Sequence, residues 1–330
     1  MADWSKLYGS GYLCPCVAFY NGKWVLPLTP TPAQSFAQMN SVKFNFARVP
    51  AAWAYLASSE SDFMSILNQI VAAGAANDVA LDILFSGTFP LDMLNYYGAG
   101  LNYAEPGYDN MMIAWWQNKA TYSWQNMIDE FWTPIIQAID SSPAVISYEI
   151  MNEPYAPGSV TVAQEQAHNQ FFATALRKLT SKAIVYMADC TSSLENQGNT
   201  IVSVAPTGIS NLVLDLHRYS TSDPSSDFAS WSADAAKANC SGVFVGEWGP
   251  DSSCPASIDT TTEQNTIDLY YAAFRKYGLG NAYFAWGPGT GPCNLTDTNN
   301  NPNWIANLIS QQIQAIPAQP TTLTLKVTQV

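Results

Sequence analysis

Charge is what this chain has least of. Only 12% of its 330 residues are Asp, Glu, Lys or Arg, about half the ~25% of an ordinary domain. The shortage falls on the bases: 13 Lys and Arg face 26 Asp and Glu, for a formal net charge of -13. That sign argues against nucleic acid or an anionic membrane as partner. No apolar run reaches the length of a membrane span. The two His, His168 and His217, are too few for a metal-dependent hydrolase, and Cys14-Pro15-Cys16 has the wrong spacing for a zinc pair. No Gly-rich phosphate loop follows an early strand, which removes the open dinucleotide-binding sheet. No metal or cofactor is expected. Met1-Ala2-Asp3-Trp4-Ser5 has no basic stretch leading into an apolar one. The expectation is therefore a mature, trimmed chain.

What the chain does have is apolar and aromatic mass. Hydrophobic residues make up 48% and aromatics 13%, with 11 Trp. This is enough for a sizeable core, with flat faces to spare for sugar rings. Six Cys permit disulfides. Asn239-Cys240-Ser241 and Asn294-Leu295-Thr296 match the glycosylation pattern.

Strand and helix patterns alternate about eight times, which means a parallel sheet. Strands are predicted over Val42–Pro50, Val79–Phe85, Val145 onward, Lys182–Asp189, Asn211–Tyr219, Val243 onward and Gly280–Trp286. The first strand is expected in Lys23–Leu28 rather than Leu13–Phe19, the two being separated by Asn21-Gly22. Helices are predicted over Ser59–Ala75, Ser123–Ile139, Thr161–Leu179, Ser226–Asn239, Thr260–Lys276 and Asn303–Ile316, with another opened by Thr31-Pro32. Eight such units fit a closed (β/α)8 TIM barrel of the α/β class. The expected organisation is a single catalytic domain over 1–316, carrying a long aromatic-rich insert after strand three (Ser86–Tyr122), then a C-terminal extension or linker remnant over 317–330.

Two segments share one form. Val145 to Pro154 and Val243 to Pro250 each run as an apolar strand that delivers a Glu and then stops at Pro. Barrel enzymes carry catalytic groups at the C-terminal ends of their strands. Arg48, Asn152, Glu153, His217, Tyr219, Glu247 and Trp286 are all assigned there. Two Glu on one rim are the minimum for cleaving a glycosidic bond with retention, which predicts carboxyl groups ~5–5.5 Å apart. Glu149 and Asp215 share faces with these groups but lie deeper, and read as hydrogen-bonded core carboxylates. His168, among Gln and Asn on a helix, reads as a surface residue. Trp115 and Trp116 in the insert and Trp248 beside Glu247 are candidate sugar contacts. Cys254 and Cys293 follow neighbouring strands and are expected to form a disulfide.

From Asn45 to Trp286 the chain resembles glycoside hydrolase family 5, the cellulase and mannanase family with catalytic Glu after barrel strands four and seven. The resemblance rests on Asn45-Phe46-Ala47-Arg48-Val49-Pro50, Asn152-Glu153-Pro154, His217-Arg218-Tyr219, Gly246-Glu247-Trp248 and Trp286. It implies Glu153 as acid/base and Glu247 as nucleophile. The surrounding shell would be Arg48, Asn152, His217, Tyr219 and Trp286, with a cis peptide between Trp286 and Gly287. Leu84 stands where the family usually has a His.

The chemistry asks Glu247 to be ionised, which a cation at Arg48 favours. It asks Glu153 to begin protonated, its pKa raised by burial and the neighbouring anion. The expected function is a secreted, monomeric, retaining endo-β-glycanase on β-1,4-glucan. β-Mannan and xylan are the alternatives within the fold, and a catalytically silent carbohydrate-binding barrel the alternative outside it. The scarcity of charge further suggests an acidic working environment.

Overall fold

A computed structural model describes residues 2–12, 30–51, 60–85, 108–119, 123–154, 156, 158–188, 201–250, 259–287, 294–297, 299 and 301–316. Within them eight strands close into one barrel in sequence order. They are β1 (Tyr8–Tyr12), β2 (Phe46–Ala51), β3 (Ala80–Phe85), β4 (Val145–Glu149), β5 (Ala183–Tyr186), β6 (Leu212–Tyr219), β7 (Gly242–Gly249) and β8 (Gly280–Trp286). Every neighbouring pair is parallel, including β8 with β1. This is the (β/α)8 architecture.

The helices are α1 (Pro32–Ser41), α2 (Glu60–Ala76), α3 (Tyr108–Trp116), a segmented α4, α5 (Val162–Leu179), α6 (Ser225–Lys237), α7 (Thr260–Tyr277) and α8 (Trp304–Gln314). Thr31 and Thr161 each close a capping box with the Gln three residues on, satisfying otherwise orphaned amides. The predicted Ser123–Ile139 helix, α4, has three parts: α-helical Trp124–Met127, π-helical Ile128–Trp132 and α-helical Thr133–Ile139. Pro134 supplies no N–H to an α-type ladder, which accounts for a wide turn just before it.

The first strand is a correction. It is Tyr8–Tyr12, upstream of both stretches considered from sequence. Tyr-Gly-Ser-Gly-Tyr has no apolar β-branched residue to announce a strand. Gly9 is needed for a different reason: a Cβ there would fall 1.6 Å from the Phe46 carbonyl oxygen. The N-terminal end of the barrel is plugged by Trp4, Leu7, Phe46, Ala183, Val185, Val213, Phe244 and Ala282, with Trp4 stacked on Phe244 at 5.2 Å. The helix-facing sides of the strands build the larger core. Polar groups therefore collect in the remaining space, the upper half of the barrel. No described helix is long and apolar enough to cross a membrane. The 317–330 extension, most of the aromatic insert, Cys254 and Cys293 lie outside the described residues.

Candidate active site

Arg48 is the hub of the upper barrel. It faces inward from β2 and is 1% exposed. Its Nε donates to Glu149 Oε2 at 2.8 Å, and Nη2 donates to Glu149 Oε1 and, at 2.8 Å, to Asn152 Oδ1. Nη1 donates to Glu247 Oε1 at 3.0 Å, and Nη2 lies 3.2 Å from Asp215 Oδ2. Burial works against the guanidinium's charge, but the carboxylates of Glu149, Asp215 and Glu247 outweigh it and push the pKa higher still. Below them Ser147 Oγ donates to Asp82 Oδ1 at 2.5 Å. Burial and the adjacent Glu149 charge hold Asp82 well above the usual carboxylate range. Glu149 is raised by burial too, opposed by Arg48.

Glu247 reaches the mouth through an irregularity. On β7, Phe244 faces the barrel interior. Strict alternation would then aim Gly246 inward and Glu247 out. The pairing with β6 jumps from Leu216↔Val245 to His217↔Glu247, leaving Gly246 as the extra residue of a bulge. A bulge re-aims the following side chain, so Glu247 turns in while Trp248 turns out to stack on Tyr270 at 4.8 Å. Gly246 donates its N–H to Asp215 Oδ1 at 2.6 Å, and a Cβ there would lie 2.2 Å from Asp215 Oδ2. On β6 the period of two does hold. Asp215, His217 and Tyr219 face inward, and Tyr219 donates its OH to Glu247 Oε2 at 2.7 Å.

Glu153 arrives by a turn. β4 ends at Glu149, Asn152 N–H donates to the Phe85 carbonyl at 2.9 Å, and Glu153 takes φ +42°. Such a conformation costs a non-glycine residue about 1–3 kcal/mol. Glu153 Oε1 lies 2.7 Å from His217 Nδ1, which is itself 3.6 Å from Glu247 Oε2. One oxygen of each Glu and a ring nitrogen of His217 fall within 4.8 Å of one another. His217 is fully buried. That burial disfavours its charge, but Glu247, Asp215 and Glu153 together push its pKa up to about 10. The result reverses one expectation. Burial raises Glu153, yet the hydrogen bond and charge of His217, with Arg48, outweigh it and hold the carboxyl below its usual range. The proton expected on Glu153 rests on the histidine.

Other expectations are also corrected. Trp115, Trp116 and Trp248 are 0%, 1% and 0% exposed, packed between helices and sheet, so none can meet a polymer. His168 is no surface residue. It is 1% exposed with its ring 4.6 Å from Trp116, 5.4 Å from Trp124 and 4.7 Å from Phe172. Trp286 is buried against Phe44 at 5.8 Å, and the cis peptide joins Phe284 to Ala285 rather than Trp286 to Gly287. Among the described residues an aromatic that does border the site, beside Tyr219, is Phe284. It is half-buried, with its ring edge-on to Tyr219 at 6.4 Å. Its place on the inward face of β8 was available from the alternation Ala282, Phe284. Met187, just beyond β5, also reaches the site and carries no sequence signal. Leu84 is buried at the end of β3, opposite Glu149.

A closed parallel barrel with one carboxylate just past its fourth strand and another near the end of its seventh, bridged by a histidine, is the arrangement of a glycoside hydrolase. The chain belongs to the cellulase family, glycosyl hydrolase family 5, whose model matches residues 14–290. Among curated proteins no sequence matches it. Solved structures share its fold at low identity. The Pseudomonas stutzeri endoglucanase Cel5A aligns with TM-score 0.67 and 16% identity over 93% of this chain and 94% of its own. A broad-specificity endoglucanase from Clostridium longisporum aligns with TM-score 0.69 and 14% identity over 96% and 99%. Endo-glycoceramidase II from Rhodococcus aligns with TM-score 0.68 and 15% identity over 92% and 78%.

Proposed function

We propose that this glycosidase is a secreted endo-β-1,4-glucanase that cleaves with retention. The observation carrying the reading is that one carboxylate oxygen of Glu153 and one of Glu247 lie within 4.8 Å of each other, a close approach of the kind retaining pairs use. Glu247, fixed by Arg48 and Tyr219, attacks the anomeric carbon as the glycosidic C–O bond breaks. Glu153 takes the proton held by His217 across 2.7 Å and passes it to the departing oxygen, leaving Glu153 ionised and His217 neutral. Dyad and leaving group thus exchange one proton, and the two residues titrate as a unit.

Once Glu247 is a glycosyl ester its negative charge is gone. That charge is the foremost influence raising His217, so the imidazole stays neutral in the intermediate. Glu153 then takes a proton from the attacking water, the ester bond to Glu247 breaks, and the proton returns to the dyad. Asn152, clamped by Arg48, is placed for the sugar 2-hydroxyl. Phe284 offers an apolar edge to the ring. The low charge and aromatic content support a neutral polysaccharide as the substrate.

Hydrolysis of carboxymethyl-cellulose, mannan, xylan and lichenan tests the substrate, with fastest turnover expected on the glucans. Proton NMR of the first product tests retention, and an inverted anomer appearing first would refute it. Glu247→Ala is expected to lose turnover by about 10⁴-fold or more, with partial recovery in azide.

A further inference from the structure

We infer that Met187 is a positioning residue for the acid/base, an inference that rests on the role given to Glu153. β4 has ended before Glu153, so no strand ladder receives the Glu153 amide. A partly buried N–H still favours an acceptor. Among the described residues that acceptor is the Met187 thioether, whose Sδ accepts the Glu153 N–H at 3.4 Å. The same sulfur lies 4.0 Å from Arg48 Nη2. It therefore touches both the residue that bears the acid and the cation that fixes the nucleophile.

Met187 is itself anchored. It is 2% exposed, and its carbonyl accepts from Asn169 Nδ2 at 3.3 Å. Asn169 also donates to the Val204 carbonyl at 3.2 Å, and its Oδ1 lies 3.0 Å from His168 Nδ1. That oxygen can only accept, so Nδ1 carries the hydrogen. The aromatic cage around His168 thus locates the sulfur through α5.

Electrostatics explains why a sulfur stands here. Glu149, Asp215, Glu247 and Glu153 already crowd Arg48 and His217. An Asp or Glu acceptor would add another anion beside the nucleophile. A thioether accepts weakly and brings no charge, so it fixes the Glu153 backbone in its left-handed turn without altering the proton balance of the dyad.

The test uses two aryl β-cellobiosides and reads kcat/KM, which reports the first bond cleavage. Phenyl cellobioside needs a proton on its leaving oxygen, and 2,4-dinitrophenyl cellobioside does not. Met187→Leu keeps the volume and removes the acceptor. It is expected to lose about tenfold on the phenyl substrate and stay within about twofold on the dinitrophenyl one, with the fold retained and thermal unfolding lowered only modestly by the amide left without its acceptor. Met187→Gln, which restores an acceptor, is expected to recover most of the phenyl activity. If Met187→Leu does not fold, Met187→Gln decides alone: a leaving-group-dependent loss as large as tenfold overturns the inference.

Glu153→Gln is the reference. It should show the same leaving-group dependence, only larger. Equal losses on both substrates in Met187→Leu, beside a leaving-group-dependent Glu153→Gln, overturn the role of Met187 alone. A Glu153→Gln variant with no such dependence overturns the assignment of the acid itself.

Discussion

Arg48 touches Glu149, Asn152, Asp215 and Glu247 at once, so its removal leaves buried carboxylates uncompensated. Breaking a buried ion pair in this way costs about 3–5 kcal/mol. Arg48→Ala is expected to lower urea-unfolding stability by that order and abolish turnover. Arg48→Lys should lose most of the activity as well, because an ammonium cannot reproduce the two-pronged grip on Glu149. Gly246 is the other single-residue dependence. Gly246→Ala forces a Cβ against Asp215, and overpacking of this kind costs about 1–3 kcal/mol. The bulge that aims Glu247 should shift with it. A Gly246→Ala variant of wild-type activity would show that the bulge does not set the nucleophile.

At the scale of elements, α5 joins the insert helix α3 to the site. Its His168 is held neutral: burial lowers its pKa from 6.5 to about 4, against the opposing bond to Asn169. A histidine lowered on folding contributes stability that is present above pH 6.5 and is lost as the pH falls toward 4. The loss amounts to roughly 3 kcal/mol. His168→Phe should therefore lie closer to the wild type in stability at pH 4 than at pH 7, the gap narrowing by about that amount. Denaturant melts at the two pH values read this directly. A constant gap would mean that His168 titrates normally in the fold.

The whole molecule balances this loss. Burial raises the Glu263 carboxyl from 4.5 to about 7, despite the bond from Tyr283. A carboxyl raised on folding contributes stability that is fully present below pH 4.5 and is lost as the pH rises through 7. Glu263→Gln should accordingly gain about 3 kcal/mol on the wild type between pH 4 and pH 8. Between pH 7 and 4 the His168 loss and the Glu263 gain nearly offset, and Asp82 and Glu149, also raised, favour the acid side. Total positive charge is limited by 13 Lys and Arg and 2 His, so self-repulsion in acid stays modest. We propose on these grounds an acidic extracellular setting. A melting temperature nearly flat from pH 4 to 7, an intact fold at pH 3 and an activity optimum below about pH 5 are the expected results. Neutral-pH activity with unfolding near pH 4 would discard the setting.

The barrel was legible in the sequence because alternation and helix spacing are local, repeated many times, and each repetition restates the same parallel sheet. Inward groups on a regular strand, such as Asp215, His217 and Tyr219, could be read by counting in twos. Counting failed where the backbone leaves regularity. Tyr8–Tyr12 is a strand because Gly9 permits close approach to β2, not because its residues prefer strands. Glu247 points inward through a bulge, and Glu153 through a left-handed turn. Burial could not be counted at all. Trp115, Trp116 and Trp248 have faces suited to sugar, but three-dimensional packing spent them on the core and left Phe284 at the mouth. The position of the acid proton was decided by structure too, since it depends on His217 lying between three carboxylates brought together from β4, β6 and β7. Sequence determined the scaffold and its titratable groups. Their separations in space, which set each group's charge, exist only in the closed barrel.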